Sequence, residues 1–471
     1  MPISSRLALV VVLLFAWFQP GSAQQNTADI HIVHHTFYGA DAVMPFYFRA
    51  NQLGQVPYKV DNLFRTQVIS HGVWHAPNGR LSVAGGVRAL NLAGDTNKSR
   101  YPEAYLNFTT KWVVFGGGLY ADSIQQSGLS VSNGNFLSGH NAAPFFRLKV
   151  GTNGYIPLGK GNFRFAALWE EGTMGKDNLV KNTLLHHKQL FLRWGTTERL
   201  EFTWGIDHYA QWSGHSPTAG ELPSKPMDYL RTVFSLPGGP DANASDQQNV
   251  QGNQLGQYYF IFRKSYPGKT FEGRIVHPFE DFSGMVFVNF PDNLYSMMMT
   301  LHDHPFLDKV ILELTNTHHQ SGADLDKKTG VYRHRNGRDN YFNHGTYGSF
   351  THKGFMLGSP LFYPLNVSPA GYATSVASNR IVALHAGISG HLFQRSLTWK
   401  LMATGSLNSG RYSGEYEPKR DQFHAMAEAR YQFTKLPLWL SATVAADRGN
   451  LLTGHHQELG GVMVGVGWVW R

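Results

Sequence analysis

The 471-residue chain contains no cysteine. That excludes a disulfide framework and every Cys-based metal or redox site, so stability has to come from hydrogen bonding and burial. Long apolar runs are also scarce. The uninterrupted stretch from Leu7 to Phe18 follows Arg6 and precedes Gly21-Ser22-Ala23. It is shorter than the roughly 20 apolar residues that a spanning helix needs, and it has the layout of an export signal cleaved after Ala23. No later stretch approaches that length, which argues against a helical membrane protein. Charged residues make up only 15% of the chain, and no Lys/Arg cluster occurs. In an exported chain this leaves no case for nucleic acid as a partner. The net charge of +9, less the one charge of Arg6, is +8 after cleavage. Such an excess suits either loops beside anionic lipid headgroups or attraction of an acidic polymer.

What the chain does have is aromatic side chains, 13%, and 50 glycines. The last segment, Gly461 to Arg471, alternates two classes of side chain. Val462, Val464, Val466, Trp468 and Trp470 share one face; Met463, Gly465, Gly467, Val469 and Arg471 share the other. A period of two, apolar on one side and small or polar on the other, is the pattern of a lipid-facing strand in an outer-membrane barrel, and the paired Trp fit an interfacial girdle. The same alternation recurs at 162–169, 397–403 and 438–444. Further strands are expected to begin near Lys111, Gln189, Leu200, Gln257, Lys309 and Ile381.

At about 20 to 25 residues per strand and connection, the mature chain accommodates roughly 16 to 20 strands. No linker divides it, so residues 24–471 read as one all-β transmembrane antiparallel barrel after a 1–23 signal. Residues 222–234 read as a Pro-initiated short helix outside the sheet. The 324–330 run and the stretch from Asn408 to Pro418 read as charged surface loops. Gly116-Gly117-Gly118 lies in a strand pattern with no helix after it, so it is no phosphate loop.

Two dense polar segments stand out. The first runs from His277 to Asp292 and holds Glu280 and Asp281. As neighbours in a strand these would face opposite ways and could not form an acid/base pair, and lumen-facing carboxylates are the plainer reading. The second holds Arg338, Asn340, Tyr341, Asn343, His344 and Tyr347. Its rings, amides and cation are groups that hold sugars, or they serve a loop packed on itself. The 23 histidines include the doublets 34–35, 186–187, 318–319 and 455–456, together with His302-Asp303-His304. No third ligand converges on them, so they read as rim or loop residues, and no metal or cofactor is expected. No GxSxG elbow marks a nucleophile, and no catalytic residue is assigned.

Several segments resemble those of the Wzi-type capsule assembly proteins, in the branch found in Bacteroidetes-like bacteria. They are Pro45 to Gly54, His140 to Pro144, Leu185 to Lys188, His277 to Asp292, Gln320-Ser321-Gly322, Asn340 to Tyr347 with Gly358 to Phe362, and Ser378-Asn379-Arg380. The resemblance spans nearly all of the mature chain in order. It implies an outer-membrane barrel of about eighteen strands with short periplasmic helical or plug elements, and a non-catalytic, lectin-like part in retaining capsular polysaccharide. It adds Arg380 to the polar-interior or sugar-contact residues. The chain departs from the family's pattern in two ways: Ile30 to His35 reads as strand where a helical bundle would stand, and the last residue is Arg471 after Trp470. The expected partners are an acidic surface polysaccharide and outer-membrane lipid, with the chain monomeric. The alternatives are a passive porin or, from another class, a membrane-embedded hydrolase.

Overall fold

The computed structural model describes residues 26–40, 43–322, 324–325, 332–333, 338–364, 366–368 and 372–470. The expected export signal and most of the 324–330 loop lie outside the described residues. Eighteen antiparallel strands close into one barrel. In chain order they are β1 Thr27–Gly39, β2 Asn62–His75, β3 Ser82–Gly94, β4 Lys98–Thr109, β5 Val113–Leu119, β6 Phe146–Thr152, β7 Phe163–Thr173, β8 Leu184–Thr196 and β9 Leu200–Trp212. They continue with β10 Asn253–Tyr266, β11 Lys269–Phe279, β12 Asn293–Leu301, β13 Leu307–Asn316, β14 Ile381–Leu392, β15 Leu397–Arg411, β16 Gly414–Gln432, β17 Leu438–Gly449 and β18 Gln457–Trp470. The short Ile156–Pro157 piece extends β6 along β7. Closure is made by β1 against β18, from Ile30↔Trp470 to Gly39↔Gly461. No helix among the described residues is long and apolar enough to cross a membrane.

The alternation in the sequence builds the wall. On β18, Val462 and Val464 are 44% and 49% exposed while Met463 between them is 7% exposed. Closing the sheet removes every strand edge, which is why strands can cross lipid at all. The small residues of the inner face have a steric reason. A Cβ on Gly467 would stand 2.2 Å from the Trp439 ring, and one on Gly465 would stand 2.8 Å from the His35 ring. Neighbouring strands therefore lay their rings over these two positions.

Connections at the end holding 76–81, 110–112, 197–199, 267–268 and 433–437 are short. Those at the other end, 40–61, 120–145, 213–252, 280–292 and 317–380, are long. Outer-membrane barrels keep short turns on the periplasmic side and long loops outside, so the long connections are extracellular. A ring of exposed aromatics marks the short-turn end: Trp74, Trp112, Trp194, Tyr266, Tyr431 and Trp470. Such a belt stands at the headgroup level of a membrane.

The sequence reading needs two corrections here. The helices among the described residues lie in the long, extracellular connections and not on the periplasmic side. Residues 408–418 are not a loop. β15 and β16 run on as a paired ribbon through Asn408↔Arg420 and turn only at 412–413. Above the lipid both faces of a strand meet water, so the apolar alternation that marks it as a strand disappears while the backbone pairing continues. The expected short helix is present as α2, Pro226–Val233, after the four-residue α1, Phe46–Arg49. Asp228 accepts from the Lys225 amide at 3.0 Å and caps α2 at its start.

Three long connections fold into the outer half of the lumen, through their described residues 43–61, 120–145 and 338–364 with 372–380. Phe46, Phe48, Phe136, Phe342, Phe350 and Phe362 are fully buried there, in one apolar cluster with inward residues of the wall such as Leu63, Leu255, Ile381 and Met463. Polar seats on the wall hold the plug. Glu313 of β13 accepts from Ser130 Oγ at 2.7 Å, the Val131 amide at 3.0 Å and Ser132 Oγ at 3.1 Å. His385 of β14 meets the Leu129 carbonyl at 2.7 Å. Asp447 of β17 accepts from the Phe46 amide at 2.8 Å and holds His424, whose ring stacks on Phe46 at 4.1 Å.

Candidate functional site

The two polar segments singled out in the sequence do come together, on the extracellular side. Asn289 donates to the Tyr341 hydroxyl at 2.6 Å, and Glu280 accepts from the Phe342 amide at 2.6 Å. Asp292 accepts from the amides of His319 and Gln320 at 2.8 and 2.6 Å. Asp281 and Asp339 each hold a serine hydroxyl, those of Ser283 and Ser321, and the two hydroxyls meet at 2.8 Å. Asp281 also caps α3, Phe282–Met285. Glu280 and Asp281 thus lie past the end of β11 instead of within it. Burial raises the carboxyl of Asp292 to about 6 and that of Asp339 to about 7, the latter helped by the charge of Asp281; burial also lifts Glu280 well above the carboxylate range.

This cluster is architecture more than a binding surface. Tyr341 and Tyr347 are 1% and 4% exposed, so their rings offer no face to a sugar. Asn343 pairs with both backbone groups of Val376, and His344 closes a turn by accepting from the Thr346 amide at 3.1 Å. Arg338 and Asn340 are exposed. Arg338 stacks on one ring, Tyr412, at 4.7 Å, and the buried Arg380 stacks on the same ring at 3.8 Å. Arg380 also pairs with Glu415. His277 lies at the top of β11 on the outward face, opposite Tyr258 in the pairing, and not in the lumen.

The other histidines also depart from expectation. His187, His385 and His424 are buried inward residues of the wall and not rim residues. Their alternation puts them on the lumenal side; the outward neighbours of His385 and His424 are apolar, while those of His187 are His186 and Lys188. His302 and His304 stay at the short-turn end and are tied locally, to Thr270 at 2.8 Å and the Leu307 amide at 3.0 Å.

Below the plug the lumen keeps a cavity of about 560 Å³ between the 120–138 connection and inward residues of β6–β11. It extends toward the periplasmic end as far as Tyr155, Arg193 and Arg263. Five cations line it: Arg147, Lys149, Arg193, Arg263 and Arg274. Two carboxylates, Asp122 and Glu170, line it as well. Arg147 bridges them at 2.8 and 3.3 Å, and His187 joins Glu170 to Asp207 at 2.7 Å on either side while stacking on Tyr209 at 3.8 Å and 5°. Glu272 holds Arg263 at 2.6 Å and Arg274 at 3.0 Å. Arg193 lies flat on Tyr155 at 3.6 Å, and the Lys149 ammonium sits 4.0 Å over Tyr120. Among the described residues no carboxylate lies within ion-pair distance of Lys149.

Glu201 pairs with Arg193 at 3.6 Å and with Arg263 at 3.5 Å, so Lys149 is the lining cation left without a carboxylate partner among the described residues. Rings backed by planar cations, beside Gln125, Asn133, Asn135 and Gln189, supply stacking faces and directed donors, and Lys149 offers a charge to an anion. Sequence reasoning missed this site because its residues alternate along six strands and two connections and form no contiguous motif. The available signal was the parity of charge: Arg147 and Lys149 fall on one face of β6, and Arg263, Glu272 and Arg274 on the matching faces of β10 and β11.

The closed eighteen-stranded wall, the lipid-facing alternation and the aromatic belt define an outer-membrane β-barrel protein, and comparison with solved structures agrees. The chain is similar to Wzi of Escherichia coli, described as an outer membrane protein involved in group 1 capsule assembly and a carbohydrate-binding β-barrel. The TM-score is 0.57 at 13% identity, with 98% of this chain and 87% of that chain covered. It is also similar to OprD of Pseudomonas aeruginosa, with a TM-score of 0.50, 10% identity and 96% of each chain covered. These likenesses are of fold. No protein-family model and no curated protein matches the sequence.

Proposed function

We propose that the protein binds surface or capsular polysaccharide without transforming it and so retains the polymer at the outer membrane, acting as a monomer. One observation carries this reading: a plug packed into the wall fills much of the outer lumen, and the space beside it is lined with tyrosines, amides and cations, of which Lys149 has no carboxylate partner among the described residues. A passive porin needs a water path through the barrel, and here the buried phenylalanines of 338–364 and the Glu313 seat occupy that path. The carbohydrate binding described for Wzi is consistent with the same reading. An anionic sugar segment suits the cavity, since a carboxylate can pair with Lys149 while its hydroxyls meet the lining amides and tyrosines.

In a strain lacking the gene, the expected outcome is that polymer moves from the cell-bound to the released fraction while total synthesis holds. Binding of a soluble polyuronate oligosaccharide to the purified barrel is expected to weaken with salt and to fall several-fold in Lys149→Glu. Unchanged polymer distribution, together with wild-type binding by Lys149→Glu, defeats the proposal. An open conductance in planar bilayers favours the porin instead.

A further inference from the structure

The extracellular end lacks a tryptophan belt like that of the periplasmic end. Over much of the circumference its place is taken by exposed aromatics of the wall itself, Tyr38, Phe64, Tyr101 and Phe423. Over β7–β12 the described wall shows Trp169 of β7, 37% exposed, lower on its strand. Two connections fold down over the outer surface there. Helix α2 lies against β7–β9: Tyr229 donates to Glu171 at 2.6 Å, its ring meets Trp212 at 5.4 Å, and Lys188 donates to the Val233 carbonyl. The 280–292 connection with α3 lies against β10–β12: Phe287 packs on Tyr258 and His277 at 5.7 and 4.4 Å, and His277 meets the Gly284 carbonyl at 3.2 Å.

What these connections show to the outside is apolar. Phe282 is 73% exposed, Phe234 67%, Phe290 60% and Met227 56%, with Val286 and Leu236 nearly half exposed. What they hide is polar: His277, Asn293 and Tyr295, linked at 2.9 and 2.8 Å, all on the lipid-facing parity of β11 and β12. The pairing register sets their level. Asn293 lies opposite Asn316, and Asn316 lies opposite Val382, which faces outward and is exposed, as is Leu384 beside it. The hidden polar patch therefore stands at the level where the next strands still present aliphatic groups to the membrane.

We propose that α2 and the 280–292 connection form a shelf seated in the outer leaflet of the surrounding bilayer, with acyl chains against Phe234, Phe282, Phe287 and Phe290. The shelf continues the wall's own lipid interface upward and, above Trp169, supplies the aromatic belt of this sector. An apolar patch of this extent in water marks an interface, and lipid is the partner the wall directly beneath it already has. The inference rests on the outer-membrane location and not on polysaccharide binding.

The absence of cysteine makes the test direct. Phe234→Cys, Phe282→Cys and Phe290→Cys, each labelled with an environment-sensitive fluorophore, are reconstituted into phospholipid vesicles beside two reference sites, Val464→Cys on the wall and Asn340→Cys on the cap. Every site is surface-exposed, and heat-modifiable electrophoretic mobility confirms that each variant is folded. The expected result is that shelf labels follow Val464→Cys, quenched several-fold more by acyl-chain nitroxides than by aqueous iodide. Shelf labels that follow Asn340→Cys overturn the proposal. So do labels shielded from both quenchers that cross-link chain to chain on oxidation, since a second copy would then cover the shelf.

Discussion

The arc formed by β14–β18 and the arc formed by β5–β13 obey the same strand rule yet differ in what they carry. In the first, the extracellular connections are short, 412–413 and 450–456, and the wall alone does the work of crossing lipid while offering inward seats such as Asp447 and Thr404. In the second, the connections are long, and they form much of the plug, the roof of the cavity and the shelf. Strand chemistry is dictated by the two solvents on either side of the sheet, whereas a connection is placed by whichever buried partner it finds. The contrast teaches that the wall is interchangeable in detail and that specificity sits in the seats.

The sharpest way to break this comparison is to remove a seat. Glu313 is buried and holds three donors of the plug, and each buried donor left unpaired costs about 1–3 kcal/mol. Glu313→Ala is therefore expected to unseat the 129–132 segment and to turn a closed barrel into a conducting one in planar bilayers. Asp447→Ala, which releases one plug amide and one histidine, should give a smaller opening. Equal, unchanged conductance in both variants would show that apolar packing alone holds the plug. Next in size is a change to the wall. An arginine at Leu384, which is outward-facing on β14, is expected to cost up to about 2–4 kcal/mol, depending on its depth, in denaturant unfolding from vesicles. The same substitution at Gln248, exposed in the 213–252 connection, should stay within about 0.5 kcal/mol. The smallest effect is the pH response of the cap. Asp292 and Asp339 keep their protons in the folded state up to about 6 and 7, whereas the unfolded chain loses them near 4. Between those limits the folded state binds more protons, so stability contributed by these carboxyls is present below pH 4 and lost as pH rises toward 7. Amide exchange in 319–321 and 339–342 should speed up over that window by more than the ordinary base catalysis seen at β18.

These contrasts follow what could be read from the residues. The wall was legible wherever one face meets lipid: β18, β15 up to Ala403, β17 and the short helix at 226–233 all follow from alternation or from a proline and a capping carboxylate. It ceased to be legible where lipid ends, as at 408–418, because pairing persists there without a sided pattern. The polar segments 277–292 and 338–347 were visible as unusual, but whether Tyr341 faces a sugar or Asn289 depends on contacts between residues far apart in sequence. The cavity escaped for the same reason, since Lys149, Arg193 and Arg263 become neighbours only through the register of six strands.

The seat of α1 has a consequence for how the molecule is made. The Phe46 amide binds Asp447, 401 residues away, and the Tyr47 hydroxyl binds Thr404 at 2.6 Å, 357 residues away. The earliest extracellular segment to be synthesised thus has its resting place on strands among the last to leave the ribosome. It waits through the whole of strand assembly and docks once β1 has met β18. Contacts of such long sequence separation are slow to form. Occupancy of this seat is accordingly a built-in report on completion: a barrel that has failed to close its seam leaves Phe46 and Tyr47 exposed, a ready target for proteolytic clearance.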